Sequence, residues 1–187
     1  MNSTLHEGMV SDINRCVERW LERIEENSRG EYGTRTVETA GKIKSLGAAV
    51  IPLGEKTLRA DCSYWYVLSG SVRLGMVVEV AWSQSTKKLR NKAIEFIQES
   101  GGDIRTVVGL DFSGTYDVWD KVKDQWDRTR ISQRGPASVF VWRAVFDRRT
   151  GKAVLDDDGQ PKITESVHVF SNEFCCSIST KILEYRK

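Results

Sequence analysis

Two adjacent β-rich segments constrain the fold of this chain more than any other feature. The segments LRADCSYWYVL at 58–68 and VRLGMVVEVAW at 72–82 are rich in β-branched and aromatic residues, and only Ser69, Gly70 and Ser71 separate them. Two such segments joined by a short glycine-containing connection are typical of a β-hairpin. The sequence therefore predicts two antiparallel strands with a turn centred on Gly70.

This hairpin pairs two acidic residues. With the turn at Gly70, Asp61 lies directly opposite Glu79, and Glu79 interrupts the apolar run GMVVEVAW, which is typical of a strand covered on both faces. Directly opposed like charges repel, and a buried ionised carboxylate is costly unless it is paired or coordinates a metal. Mg²⁺ is commonly held by one or two carboxylates together with waters and substrate phosphates. The pair therefore predicts a divalent-metal site.

A structural ion pair is the alternative interpretation of the same residues. In that case Asp61 lies in a loop, Glu79 bonds an arginine such as Arg59 or Arg73, and no metal binds. A shift of the turn by a single residue would also move Asp61 to the other face of the sheet. The strand register therefore matters for the choice between the two interpretations.

The rest of the chain shows helical and strand patterns around this hairpin. We predict helices at 11–27, 34–46 and 85–100, and strands at 48–53, 104–112, 138–146 and 162–170. The form of 115–136 is left open, because its apolar residues have helical spacing among many charges. This order predicts an α/β (α+β) fold with a mixed central β-sheet flanked by helices. We expect a single domain over 1–187, with a core at about 11–146 and a C-terminal antiparallel β extension at about 147–187.

The composition predicts a soluble intracellular protein, in the cytoplasm or the nucleus, without a membrane partner. The N-terminal residues have neither the basic region nor the apolar run of a signal peptide, and no apolar stretch reaches membrane-spanning length. The four cysteines show no CxxC spacing and the two histidines are far apart, which argues against a zinc site and predicts reduced, buried thiols. These residues are Cys16, Cys62, Cys175, Cys176, His6 and His168.

The positive charge is concentrated in one segment. The net charge of the chain is +2, but residues 120–152 contain nine Lys and Arg against four Asp. Such a segment could follow a phosphate backbone, and a solvated face is the alternative. The candidate nucleic-acid-binding residues in it are Arg128, Arg130, Arg134, Arg148 and Arg149. A third interpretation is a stacking platform for single strands, formed by Trp119, Trp126 and Trp142.

Four successive segments resemble the PD-(D/E)XK, or restriction-endonuclease-like, nuclease superfamily. They are RADCSYWY, VVEVAWSQSTKKLRNKAIEFI, GGDIRTVVGLDF and SVFVWR, and together they span about 58–143. Their order and spacing resemble in particular the fungal restriction-endonuclease-like proteins and the bacterial Uma-type endonuclease families. Two positions depart from the pattern, since Ala60 replaces the signature proline and Ala81 replaces the lysine of the E-x-K triplet.

The resemblance implies a restriction-endonuclease-like core and a metal-dependent nuclease that hydrolyses phosphodiester bonds, in DNA rather than RNA. Asp61 and Glu79 would then bind Mg²⁺ or Mn²⁺. The role of the missing lysine would fall to Gln84 or Lys92, with Lys87 and Lys88 as alternatives, and a first-helix carboxylate (Glu18, Glu22 or Glu25) would complete the metal site. The alternative is a catalytically degenerate module that binds nucleic acid or a protein partner. Many relatives of this fold act as dimers, so a homodimer is also considered.

Overall fold

The computed structural model describes residues 4–27, 30–68, 71–114 and 137–170. Within these ranges the chain forms three helices and six strands, and the fold is α+β, as predicted. The elements are α1 Thr4–Glu26, α2 Thr34–Gly41, β1 Ile43–Leu53, β2 Lys56–Leu68, β3 Ser71–Ala81, α3 Thr86–Glu99, β4 Thr106–Asp111, β5 Ala137–Ala144 and β6 Ile163–Phe170.

The six strands form one mixed sheet in the order β1-β2-β3-β4-β5-β6. Neighbouring strands are antiparallel except β3 and β4, which run parallel. A parallel pair cannot be joined by a tight turn, and α3 makes the crossover between these two strands. The carboxyl ends of β3 and β4 therefore lie together at one end of the sheet.

Helices cover both faces of the sheet. Leu89 and Phe96 of α3 pack on one face, in the same core as Val77 of β3. Met9 of α1 packs on the other face, and Val78 belongs to the core on that side. The central strand β3 is thus apolar towards both helices, which explains the near-continuous apolar run in its sequence.

The hairpin has the predicted register in the half that leads to the acids. Cys62 pairs with Val78, as predicted, but nearer the turn Leu68 pairs with Ser71, a register shifted by one residue. The shift lies at Gly75, which is the extra residue of a β-bulge. The bulge therefore restores the predicted pairing before the strands reach the acids.

Two predicted helices have different boundaries. α1 begins at Thr4 instead of near residue 11, because the buried Met9 continues the apolar face of the helix towards the N-terminus. α2 ends at Gly41 instead of at 46, because the chain joins the sheet at Ile43, which pairs with Tyr66. β1 accordingly begins five residues earlier than predicted, whereas the other described strands and α3 differ from prediction by at most two residues at either end. No helix in the described ranges is long and apolar enough to span a lipid bilayer.

The two described cysteines lie in different environments. Cys62 is buried between β2 and α1 as a free thiol, as predicted, and burial raises its pKa to about 12. Cys16 is also a free thiol but is exposed on α1, so the prediction of burial is wrong there. Cys175 and Cys176 lie outside the described residues.

Of the three tryptophans predicted to form a stacking platform, the structure describes Trp142. This residue does not contribute to such a platform. Trp142 is fully buried, and its ring stacks on Phe140 with a centroid distance of 5.4 Å. A ring enclosed in the core offers no face to a nucleic-acid base. Trp119 and Trp126 lie outside the described residues.

Gly109 of β4 allows close packing next to the acid-bearing strand. It pairs with Glu79, and a Cβ atom at Gly109 would lie 2.6 Å from Trp142 Cζ3 and 3.0 Å from Leu89 Cδ2. Because both neighbours are fully buried, we expect Gly109→Ala to destabilise the protein by about 1 to 3 kcal/mol in urea unfolding. Gly75→Ala is the matched control, since its Cβ would be 4.0 Å from the nearest atom. Equal unfolding midpoints for the two variants would contradict this packing argument.

Candidate active site

Asp61 and Glu79 come together where the β2–β3 ladder stops. The last paired residues are Cys62 and Val78, and beyond them hydrogen bonds to side chains replace the ladder. The Asp61 N–H donates to Glu79 Oε1 over 3.4 Å, and the Val80 N–H donates to Asp61 Oδ2 over 2.8 Å. Each acid therefore accepts a hydrogen bond from the backbone of the other strand.

The two carboxylates are neighbours but contact different helices. Glu79 Oε2 lies 2.5 Å from Lys92 Nζ of α3, whereas Asp61 Oδ2 lies 3.4 Å from His6 Nε2 of α1. Arg59 and Arg73 were the alternative partners predicted for Glu79. In the described part of the chain, neither arginine forms an ion pair with Glu79. The site thus consists of two acids from the sheet, each with a basic side chain from one of the covering helices.

Glu79 carries its charge inside the core. The residue is fully buried, and this burial raises the pKa of its carboxyl group to about 7. The charge of Lys92 acts in the opposite direction, and the negative charge of Asp61 adds to the increase. Glu79 is therefore a carboxyl group that changes its protonation state near neutral pH.

Asp61 remains the more acidic of the two. Burial alone would raise its pKa, but the hydrogen bond with His6, the Val80 N–H and the positive charges of His6 and Lys92 outweigh it and hold the pKa below its usual value. Two adjacent acids with pKa values displaced in opposite directions are a common feature of catalytic sites.

Lys92 reaches Glu79 because of its place on α3. It lies three residues after Leu89 and four before Phe96, both of which face the sheet, so it stands at the edge of the buried face. Its Nζ lies 5.8 Å from the centre of the Phe96 ring, and about a third of the side chain is exposed. The Lys92 side chain is therefore only partly enclosed by the protein.

The other residues suggested for the role of the missing lysine do not contact the acids. Gln84 lies in the bend between β3 and α3, partly exposed, and Lys87 and Lys88 are exposed in the first turn of α3. Ala81 is fully buried under α3. Among the described residues, the ammonium group paired with Glu79 is therefore that of Lys92.

His6 is the site residue that sequence reasoning missed. Its Nε2 lies 3.1 Å from the carbonyl oxygen of Val80, and the hydrogen bond with Asp61 raises its pKa although burial acts to lower it. The signal was present, because His6, Met9 and Ile13 continue the spacing of three and four residues along α1. Starting the helix near residue 11 removed His6 from consideration.

No first-helix glutamate takes the place predicted for it. His6 is in the first turn of α1, and Glu18 lies twelve residues further along, which is about 18 Å on an α-helix. Glu18 instead accepts a hydrogen bond from Asn14. Glu22 and Glu25 are exposed and further still from the N-terminal end of α1. The carboxylate expected from this helix is thus replaced at the site by an imidazole.

Asp61 and Glu79 are the acidic side chains of this site that could hold a divalent cation. In the ranges that the structure describes, no three His, Cys, Asp or Glu side chains converge on a point that could hold a metal ion. A closed protein cage is therefore absent there. Mg²⁺, however, typically takes only one or two carboxylates and keeps several waters. The neighbouring carboxylates of Asp61 and Glu79 are compatible with that mode of binding.

The two predicted nucleic-acid-binding arginines that the structure describes lie away from the acid pair. Arg148 and Arg149 are exposed in the turn after β5, at the end of the sheet opposite to the acids. Arg128, Arg130 and Arg134 lie outside the described residues. Gly114 and Ala137 are the described residues on either side of 115–136. They lie near the end of the sheet that carries the acid pair, because Asp111 pairs with Ser138.

Comparison with known proteins gave no relatives: no family model matches the chain, and neither the curated proteins nor the solved structures contain a significant match.

Proposed function

We propose that this chain is a metal-dependent phosphodiesterase of the PD-(D/E)XK superfamily that acts on DNA rather than RNA. The observation that carries the proposal is the convergence of Asp61, Glu79 and Lys92, two acids from adjacent strands and a lysine from the following helix. This is the set of groups that the superfamily resemblance implies, with the lysine supplied by α3 instead of by β3.

The order of the elements supports the same proposal. A helix is followed by three antiparallel strands, a crossover helix and a parallel strand, with α2 as a short addition before β1. The acids occupy β2 and the carboxyl end of β3, beside the crossover. In mixed sheets of this kind, ligands commonly bind beyond the carboxyl ends of the parallel strands.

The residues of the site have complementary chemical roles in phosphodiester hydrolysis. When bound by Asp61 and Glu79, Mg²⁺ or Mn²⁺ supplies a polarised water and neutralises charge on the scissile phosphate. Lys92 places a further positive charge beside Glu79, where it can stabilise a developing anionic oxygen. His6 holds Asp61 in position from the opposite side. The enclosed position of Glu79 strengthens each of these electrostatic interactions, because little water screens them.

A degenerate module that binds nucleic acid or a protein partner is the second candidate, and a specific observation favours it. Three of the four carboxylate oxygens of Asp61 and Glu79 already interact with protein donors, namely His6, Lys92 and two backbone N–H groups. Positive charge from the protein can therefore balance the acids without a cation. Ala81, at the position of the usual lysine, agrees with this candidate as well.

Metal binding is tested by thermal unfolding in Mn²⁺ and in EDTA. A ligand at about one hundred times its Kd stabilises a protein by about 2.7 kcal/mol, which corresponds to about 5 °C or more for a chain of this size. We expect this increase in Tm for the parent protein and its loss in Asp61→Asn. Asp157→Asn, in the exposed turn before β6, is the matched control and should respond like the parent.

Cleavage of circular plasmid DNA in Mn²⁺ then separates the two candidate functions. A phosphodiesterase converts the plasmid to nicked or linear DNA in Mn²⁺ and leaves it intact in EDTA. A binding module leaves the DNA intact in both buffers. Absence of cleavage together with an unchanged Tm in Mn²⁺ would rule out the proposed metal-dependent activity.

A further inference from the structure

A polar cavity lies at the end of the sheet opposite to the acid pair. Its volume is about 770 Å³, within the range of small-molecule sites. It is formed by the start of β3, the loop between α3 and β4, the turn after β5, and one side of α2. Gly75, a lining residue on β3, is four residues from Glu79, so the near edge of the cavity lies about 13 Å along the strand from that acid.

The charge of the cavity is strongly positive. Four basic side chains line it, each from a different part of the fold: Arg35, Arg73, Arg105 and Lys152. The acidic residue that lines it is Asp103. Within residues 4–27, 30–68, 71–114 and 137–170, none of the four basic side chains forms an ion pair with an acid. The described part of the fold thus places four basic side chains and one acidic side chain around the cavity.

Aromatic side chains contribute to the same cavity. Phe146 packs against the main core, and the guanidinium group of Arg105 lies over its ring at 4.5 Å from the ring centre. This contact orients Arg105 before any ligand binds. Tyr66 of β2 adds a second, partly exposed ring to the lining. The cavity therefore combines positive charge with aromatic surface.

We propose that this cavity binds a nucleoside diphosphate or triphosphate. Adjoining phosphate groups match a cluster of several guanidinium and ammonium groups, since arginine binds phosphate through paired, charge-assisted hydrogen bonds. A planar base packs against an aromatic ring, which Tyr66 provides. The volume accommodates a ligand of that size. This site is separate from the acid pair and does not depend on the function proposed for that pair.

The test is calorimetric titration of the full chain with ADP in a buffer that contains EDTA. EDTA removes divalent metal, so any binding through a cation at Asp61 and Glu79 is absent. We expect saturable ADP binding, with weaker binding of pyrophosphate and no binding of adenosine. Arg73→Glu should weaken ADP binding by at least about tenfold, because it replaces a charge-assisted hydrogen bond by repulsion.

Two matched variants make the result specific. Arg59→Glu causes the same change of charge on an exposed position of β2 outside the cavity, and it should leave ADP affinity within about twofold of the parent. Asp61→Asn should also bind ADP like the parent, because it lies at the other end of the sheet. Absence of saturable binding, equal weakening by Arg59→Glu and Arg73→Glu, or equal affinity for ADP and pyrophosphate would each overturn the proposal.

Discussion

Glu79→Gln is expected to remove metal-dependent cleavage while making the folded protein more stable above pH 7. The pKa of Glu79 rises from 4.5 to about 7 on folding, mainly through burial. Since each pKa unit corresponds to about 1.4 kcal/mol, ionising this carboxyl group costs about 3 kcal/mol more in the folded than in the unfolded state. Glutamine carries no charge, so that cost disappears, although its single oxygen replaces only one of the two acceptors that serve the Asp61 N–H and Lys92.

The direction of the pH dependence follows from the raised pKa. The contribution of Glu79 to stability is fully present below its unfolded pKa of 4.5, and it is lost as the pH rises through about 7. Urea unfolding at several pH values should therefore show the parent losing stability across this window and Glu79→Gln losing less. Glu38→Gln, an exposed glutamate on α2, is the control and should follow the parent. A Glu79→Gln variant that is less stable than the parent at pH 9 would contradict the argument.

The same substitution should reduce Mn²⁺-dependent cleavage about a thousandfold. A bound cation contributes several kcal/mol of charge stabilisation in the transition state, and glutamine replaces one of the two anionic ligands by a neutral amide. Together, the stability and cleavage results separate a functional acid from a structural one. An acid retained for stability would weaken the fold when replaced.

Lys92→Met is expected to destabilise the folded protein, in contrast to Glu79→Gln. It removes the cation next to a buried carboxylate, and such a loss typically costs about 3 to 5 kcal/mol. Protonation of Glu79 limits the cost, so we expect about 3 kcal/mol at pH 9 and less than about 1 kcal/mol at pH 5. The loss of stability with rising pH should continue to higher pH than in the parent, because the pKa of Glu79 increases further without Lys92.

Two further variants test whether the effect of Lys92 acts through Glu79. Lys87→Met removes an exposed lysine from the first turn of the same helix and should leave stability and cleavage unchanged. The double variant Glu79→Gln with Lys92→Met should lose the pH dependence of Lys92→Met, since it has no carboxyl group at residue 79 to titrate. Persistence of that dependence in the double variant would show that another group is responsible. Cleavage by Lys92→Met should fall by about 100-fold or more if the lysine stabilises the transition state.

The proximity of the two acids was accessible from the sequence because strand pairing up to Cys62 and Val78 brings them together. The two β-rich segments and their short connection brought Asp61 towards Glu79, and the apolar residues around Glu79 indicated that it is buried. The predicted turn position was slightly wrong, but the bulge at Gly75 compensated for it. The register argument therefore holds as far as Cys62 and Val78, but the carboxylates of Asp61 and Glu79 contact helices on opposite faces of the sheet instead of sharing one face.

The sequence by itself determined the hairpin, the crossover helix and the burial of both faces of β3, because these depend on local propensity and on the spacing of apolar residues. Only the tertiary structure decided which basic groups meet the acids. Lys92 is one of several lysines and arginines on α3, and the packing of that helix determines that Lys92 is the one that contacts Glu79. His6 reaches Asp61 only because α1 extends to Thr4 and lies across β3. Such contacts between distant segments depend on how the helices pack, and no local pattern in the sequence encodes that packing.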